Sequence, residues 1–149
     1  YKDARKIGIL INNPDGDNKG IEQFVNQLQK DGKQVDVICY LGPAHRISYN
    51  FSFTPLVSNE ISWTGSFKNQ KINNFIKTEF DYLYSINNSP FLPFENIVVR
   101  SRAKFRIGRF LKNRKPIFDL MIDLKPEENT VQSLIDKMTA FTKKIETNA

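Results

Sequence analysis

An α/β domain with a mainly parallel, open sheet is the fold this sequence predicts, and three observations predict it. Short apolar runs bounded by polar residues recur along the chain, as buried parallel strands require. Segments with apolar residues at helical spacing alternate with them. No linker-like, repeated or low-complexity stretch divides the 149 residues, so residues 1–149 read as one Rossmann-like, three-layer α/β/α domain. A chain of this length buries roughly 70% of its unfolded surface, enough for a core without staples.

The first run is Lys6 to Asn12, broken by Asn13-Pro14-Asp15-Gly16-Asp17, where Pro and Gly supply turn dihedrals. Ile21, Phe24, Val25 and Leu28 then mark a helix with one apolar face. It is expected to end near Asp31-Gly32, with Gly32 in a left-handed C-terminal position. Val35 to Leu41 is a second buried strand, stopped by Gly42-Pro43. Strand, helix and strand within about 40 residues make a right-handed βαβ unit.

From Ala44 to Phe67 the pattern changes. Ile47, Tyr49, Phe51 and Phe53 alternate with polar residues, which predicts an edge or half-buried strand ended by Pro55. A loop with Trp63 and Gly65 follows. Helical spacing returns at Ile72, Phe75, Ile76 and Phe80, before a strand over Asp81 to Ile86 closed by Asn87-Asn88-Ser89-Pro90. Phe94, Ile97, Val98 and Ser101 share a helix face, and Lys104 to Gly108 alternates as a short strand. Ile117 to Leu124 is strand-like again. Val131, Leu134, Ile135, Met138, Phe141 and Ile145 hold one face of a final helix, with Asn129 or Thr130 as its N-cap. Asp36, Asp81 and Asp119 each stand at the entry of an apolar strand, which reads as strand-entry chemistry, not as a repeat.

Two resemblances attach to particular residues. Phe80-Asp81-Tyr82-Leu83, Ser101 to Gly108 and Phe118-Asp119-Leu120-Met121-Ile122 make the chain resemble, over most of its length, an uncharacterised family of small Bacteroidetes proteins of unknown function. That likeness implies a bacterial protein and no particular activity. A second, distant likeness rests on Lys6 to Leu10, Pro14-Asp15-Gly16-Asp17, Phe80 to Ile86 and Ala103-Lys104-Phe105-Arg106-Ile107-Gly108. In this order they are similar to the N-terminal half of heptosyltransferase-type glycosyltransferases. There an acid in the first turn is the general base for the acceptor hydroxyl, so the resemblance implies that role for Asp15 or Asp17. The family's Gly-Asp-Ile-Gly-Asp turn is only partly matched, and the likeness speaks to fold more than to chemistry.

Composition narrows the function classes. A single cysteine, Cys39, excludes an intrachain disulfide and a Cys-based zinc site, and it fits a reducing, cytoplasmic setting. No apolar run approaches the roughly 20 residues of a membrane helix. The chain opens on Tyr1, so an earlier targeting segment stays open. Gly16 and Gly20 make no dinucleotide fingerprint, and phosphate-loop and nucleophile-elbow motifs are missing. A receiver-like reading fails as well: Asn12, Asn13 and Asn87 stand where phosphoacceptor acids are needed, although Lys125-Pro126 is suggestive.

Ligands of open parallel sheets sit beyond the strand carboxyl ends. Asp15 and Asp17 lie in the first such loop and are weak catalytic candidates, as a metal pair or a base. Turn and helix-start chemistry is the favoured reading for them. His45, beside Arg46, has no Ser or Cys to activate and reads as a polar loop residue. Cys39 reads as a small buried hydrophobe, and Tyr49, Phe51, Phe53 and Trp63 as core aromatics before base-stacking ones. No cofactor or metal is implied.

The charge is the sharpest feature. Of a net +6, eight cations fall in one stretch without an acid: Arg100, Arg102, Lys104, Arg106, Arg109, Lys112, Arg114 and Lys115. The remainder holds 14 basic against 16 acidic residues, a net −2. Phosphates of nucleic acid, lipid head groups or an acidic protein would each satisfy such a segment. A solvated face paired with Glu95, Asp119 or Asp123 is the competing reading. The leading expectation is a non-catalytic domain binding an anionic partner, nucleic acid before others, through residues 100–115. A reduced glycosyltransferase-like or nucleotide-binding domain using Asp15 or Asp17, and a structural or assembly role, are the alternatives.

Overall fold

The computed structural model describes residues 1–14, 16, 18–42, 49–57 and 66–147, with side chains through residue 144. Six strands, β1 (Lys6–Ile11), β2 (Gln34–Tyr40), β3 (Thr54–Leu56), β4 (Tyr82–Ile86), β5 (Arg106–Arg109) and β6 (Leu120–Ile122), form one sheet. Its order is β3-β2-β1-β4-β5-β6, and every described pairing is parallel. This is the doubly wound order whose strand sequence reverses between β1 and β4.

Four helices cover it: α1 (Lys19–Lys30), α2 (Gln70–Lys77), α3 (Leu92–Arg100) and α4 (Val131–Thr147). Side-chain alternation along the strands sorts them onto two faces. Ile7, Ile9 and Ile11 of β1 join Val37, Tyr84, Ile107 and Ile122 under the α1 residues Ile21, Phe24, Val25 and Leu28 and the α4 residues Leu134, Ile135 and Met138. Leu10, Ile38 and Leu83 point the other way, beneath Ile72, Phe75 and Ile76 of α2 and Phe94, Ile97 and Val98 of α3.

The helix ends follow their local chemistry. Gly32 has φ +80°, and Lys33 N donates to Leu28 O at 3.1 Å, closing α1 as expected. Thr130 is the N-cap of α4: its Oγ1 accepts from Ser133 N at 3.0 Å. Two of the three strand-entry aspartates tie neighbouring strands at the amino end of the sheet. Asp81 Oδ2 accepts from Arg5 N (2.7 Å) and Lys6 N (3.0 Å), and Asp119 Oδ2 accepts from Arg106 N at 2.8 Å. Burial opposes ionisation of Asp81, but these amides and Lys104 outweigh it and hold its carboxyl below the usual range.

Several boundaries differ from the sequence reading. Tyr49 stacks on Phe51 and Phe53 meets both edge-on, with ring centroids 4.8–6.3 Å apart, and the three pack on the α1/α4 side of the core. They precede the strand instead of forming it, because a shared face needs alternation but not ladder pairing. Pro55, expected as a terminator, lies within β3. Leu41 N donates to Leu56 O, so Leu56 faces β2 and the Pro55 nitrogen points off the edge, where no donor is needed. Phe80 is not on α2, which ends at Lys77. Its ring instead slides under the sheet at Gly8, where a Cβ would lie 2.8 Å from it. The strand expected over residues 117–124 pairs only over Leu120–Ile122.

Candidate functional site

At the reversal point between β1 and β4 the described residues at the carboxyl ends present amides. Asn12 Nδ2 donates to Asn87 Oδ1 at 3.1 Å, and Asn87 Nδ2 donates to Ser89 O at 2.6 Å. Fully buried Asn13 donates from Nδ2 to the Tyr49 hydroxyl at 3.4 Å. These bonds knit the β1, β4 and Tyr49 segments together across the crevice. Asp15, Asp17, His45, Arg46 and Trp63 lie outside the described residues. Cys39 is buried, and burial pushes its thiol up to about 12, as befits an inert core residue. Among the described residues no three His, Cys, Asp or Glu side chains come together as a metal-ligand set, and no helix is long and apolar enough to cross a membrane.

The basic segment, continuous in sequence, is divided in space because β5 runs through it. Arg100, Arg102, Lys104 and Arg106 stand at the amino end of the sheet, and Arg109, Lys112, Arg114 and Lys115 at the carboxyl end. Three strand steps separate Arg106 from Arg109, about 10 Å.

The amino-end group has structural partners. Arg106 donates from Nε to Val98 O (3.0 Å) and from Nη2 to Ser101 O (2.7 Å), satisfying carbonyls where α3 ends. Lys104 pairs with Asp81 at 3.3 Å, and Arg100 Nη1 donates to Asn96 Oδ1 at 3.5 Å. The backbone N–H of Arg102 donates to Ile76 O at 3.2 Å, which puts it beside the C-terminal end of α2.

The carboxyl-end group borders a cleft. Arg109 Nη1 donates to Asn88 O and Oδ1, each at 3.1 Å, and to Asn129 Oδ1, joining the loops after β4 and before α4. All three acceptors are neutral, so its charge is uncompensated by these bonds. Arg114 is paired with Glu95, Nε to Oε1 at 3.2 Å and Nη2 to Oε1 at 2.6 Å. Of the carboxylates named as partners for the segment, Glu95 therefore neutralises Arg114. Asp119 accepts only the Arg106 backbone N–H, and Asp123 contributes its backbone carbonyl, at 3.4 Å from Lys137 Nζ.

Arg109, Arg114 and Lys115 line a cavity of about 210 Å³ together with Ser85, Asn87 and Ser89 and an apolar wall that includes Phe94, Phe110 and Phe118. The hollow arises from small residues on the α2/α3 face of the sheet. The β4–β5 register pairs Leu83 with Arg106 and Tyr84 with Ile107, so the next step sets Ser85 beside Gly108. A Cβ at Gly108 would lie 2.2 Å from Phe118 Cζ, so only glycine lets that ring rest on the sheet.

Asn87 is in the wall, and Lys125 does not line it. Ser85, Asn88, Gly108, Phe118 and Asn129 were not singled out as site residues from sequence. The one small polar side chain in Tyr82-Leu83-Tyr84-Ser85-Ile86 was the available signal, since a buried strand gives no packing reason for serine.

None of the curated proteins and none of the solved structures compared with this chain matches it. A family profile does, over residues 1–145. With nearly the whole chain matched, the protein belongs to that family of unknown function, DUF6913.

Proposed function

We propose that the protein is a non-catalytic α/β binding domain that engages an anionic partner, nucleic acid before an acidic protein, through the carboxyl-end half of its basic segment. The observation that carries this reading is the placement of Arg109, Lys112, Arg114 and Lys115 at the strand carboxyl ends, where Glu95 is the one carboxylate paired with them among the described residues. That is the end at which open parallel sheets bind ligands. At the opposite end Lys104 is paired with Asp81, and Arg106 is tied to the carbonyls of Val98 and Ser101 where α3 ends. A reducing, cytoplasmic setting belongs to the same reading, supported by the single buried thiol of Cys39. Fluorescence anisotropy with a single-stranded and a duplex oligonucleotide tests it. Binding at low salt should weaken with a log–log slope of about −3, as expected for up to four neutralised phosphates. No binding at low salt would overturn it.

The strand order favours a second reading, a reduced nucleotide-binding or glycosyltransferase-like domain using the Asp15/Asp17 turn. It requires nucleotides or sugar nucleotides to raise the melting temperature, and Asp15→Asn/Asp17→Asn to change that response. A panel without a shift removes it.

A further inference from the structure

Ser85 is 4% exposed and lines the cavity between α3 and the β5–β6 connection, so its side chain brings a hydroxyl to the cavity floor. Around it the chemistry is of two kinds. Phe94, Ile117, Phe118 and Met121 supply an apolar wall, while Arg109 and Lys115 bring cations to the same cavity. Among the described residues Arg109 Nη1 binds neutral acceptors, and its buried Nε has no partner. Arg114 and Glu95 line the cavity as well and neutralise each other, which leaves Arg109 and Lys115 as its cations.

We infer that this cavity is a binding site for a small organic anion with an apolar body, an aryl or short acyl group carrying a carboxylate or phosphate. The apolar body would lie against Phe94 and Phe118 over the Ser85–Gly108 floor, the Ser85 hydroxyl would donate to or accept from a polar atom of the ligand, and the anionic head would face Arg109 and Lys115. The size decides against larger ligands: about 210 Å³ lies below the roughly 300–1,000 Å³ typical of drug-sized and cofactor pockets. The glycine at 108 is part of the construction, since any side chain there would displace Phe118 from the wall. This site goes beyond the macromolecular contact proposed above, because Ser85 is buried at the cavity floor and not on the surface a nucleic acid would track.

Phenyl phosphate, benzoate and hexanoate are the probes, titrated into the ¹⁵N-labelled protein and followed by amide shift changes. At least one should bind with saturable shifts at Ser85, Gly108 and Arg109. Inorganic phosphate and benzyl alcohol, which lack the body or the charge, should bind at least about tenfold more weakly. Phenyl phosphate against benzoate distinguishes the head group, and benzoate against hexanoate the body. Ser85→Val should weaken the best probe about tenfold, and Lys115→Gln, an exposed change safe for folding, about three- to tenfold. Oligonucleotide binding should be untouched by Ser85→Val, so loss of either activity alone separates this inference from the proposed function. Shifts mapping elsewhere, no saturable binding of any probe, or equal affinity for phenyl phosphate in Lys115→Gln and wild type would overturn it.

Discussion

Gly108→Ala perturbs the molecule at the point where sheet, cavity and basic segment meet. The new Cβ would lie 2.2 Å from Phe118 Cζ and 2.4 Å from its Cε atoms, against a comfortable carbon–carbon separation of about 3.5–4.0 Å. The ring must therefore withdraw by roughly 1.4 Å or tilt out of its seat. Overpacking of this kind costs about 1–3 kcal/mol. The smaller entropy of an unfolded chain with Ala in place of Gly returns about 0.4–1 kcal/mol. A net loss of about 1–2 kcal/mol lowers the melting temperature of a domain this size by roughly 3–6 °C. The diagnostic assay is a double-mutant cycle in thermal or urea unfolding. With Phe118→Ala already present the clash partner is gone, so Gly108→Ala should become neutral or stabilising, a coupling of at least about 1 kcal/mol. Equal destabilisation in both backgrounds, or none in the wild type, would refute the placement of Phe118 over Gly108. Gly20 is a control: the atom opposing its Cβ, at 1.9 Å, is the end of the flexible Gln132 side chain, so Gly20→Ala should stay within about 0.5 kcal/mol of wild type.

Arg106→Gln should cost about 2 kcal/mol and lower the melting temperature by roughly 4–8 °C, because carbonyls of Val98 and Ser101 lose a charged donor; Arg106→Lys should rescue it only in part, lacking the guanidinium fork. Asp81→Asn should cost about 1 kcal/mol at pH 7, with a pH signature set by the lowered pKa of this carboxyl. Stability from a depressed folded-state pKa is fully present above the unfolded value of about 3.9 and is lost as pH falls through the folded value. The gap between wild type and Asp81→Asn should therefore narrow as pH falls below about 3.9 in urea titrations; a gap unchanged from pH 7 to acid contradicts the assignment. Cys39, fully buried with its thiol pushed up to about 12, should react with a thiol reagent at pH 8 only after denaturation. Rapid labelling of the native protein would show that the β2 core opens locally.

The sheet and its helices were legible because their signals are local and repeated. Lys6–Ile11 and Val35–Tyr40 are apolar runs with turn residues behind them, and α1 combines one apolar face with the Gly32 stop. Where the reading slipped, a local pattern had a non-local cause. Phe80 falls at helical spacing from Ile76, yet its position answers to the absent side chain of Gly8 on a strand some 70 residues earlier. The aromatic row Tyr49, Phe51 and Phe53 alternates like a strand, but the partner that would make it one is paired from Thr54 onward. The basic segment illustrates the same limit at the candidate site. Eight cations in sixteen residues are visible in the sequence, whereas their division depends on the sheet end at which each emerges from β5. Pairing of Arg114 with Glu95, and of Arg106 with the end of α3, depends on tertiary neighbours that composition does not contain. Ser85 carried a faint sequence signal; Gly108 and Phe118 reveal their joint role only once the strands are in register.

The division of the basic segment can be put to one direct comparison. Lys112→Gln/Arg114→Gln/Lys115→Gln removes three cations from the carboxyl end, and Arg100→Gln/Arg102→Gln/Lys104→Gln removes the same charge from the amino end. Oligonucleotide affinity, read by anisotropy at low and moderate salt with folding verified by circular dichroism, should fall at least about tenfold in the first variant, with the salt slope reduced by about 2–3. The second variant should keep its salt slope and lose less than about threefold through the smaller net charge. Equal losses in the two variants, or a larger loss in the second, would contradict a binding surface at the carboxyl end of the sheet.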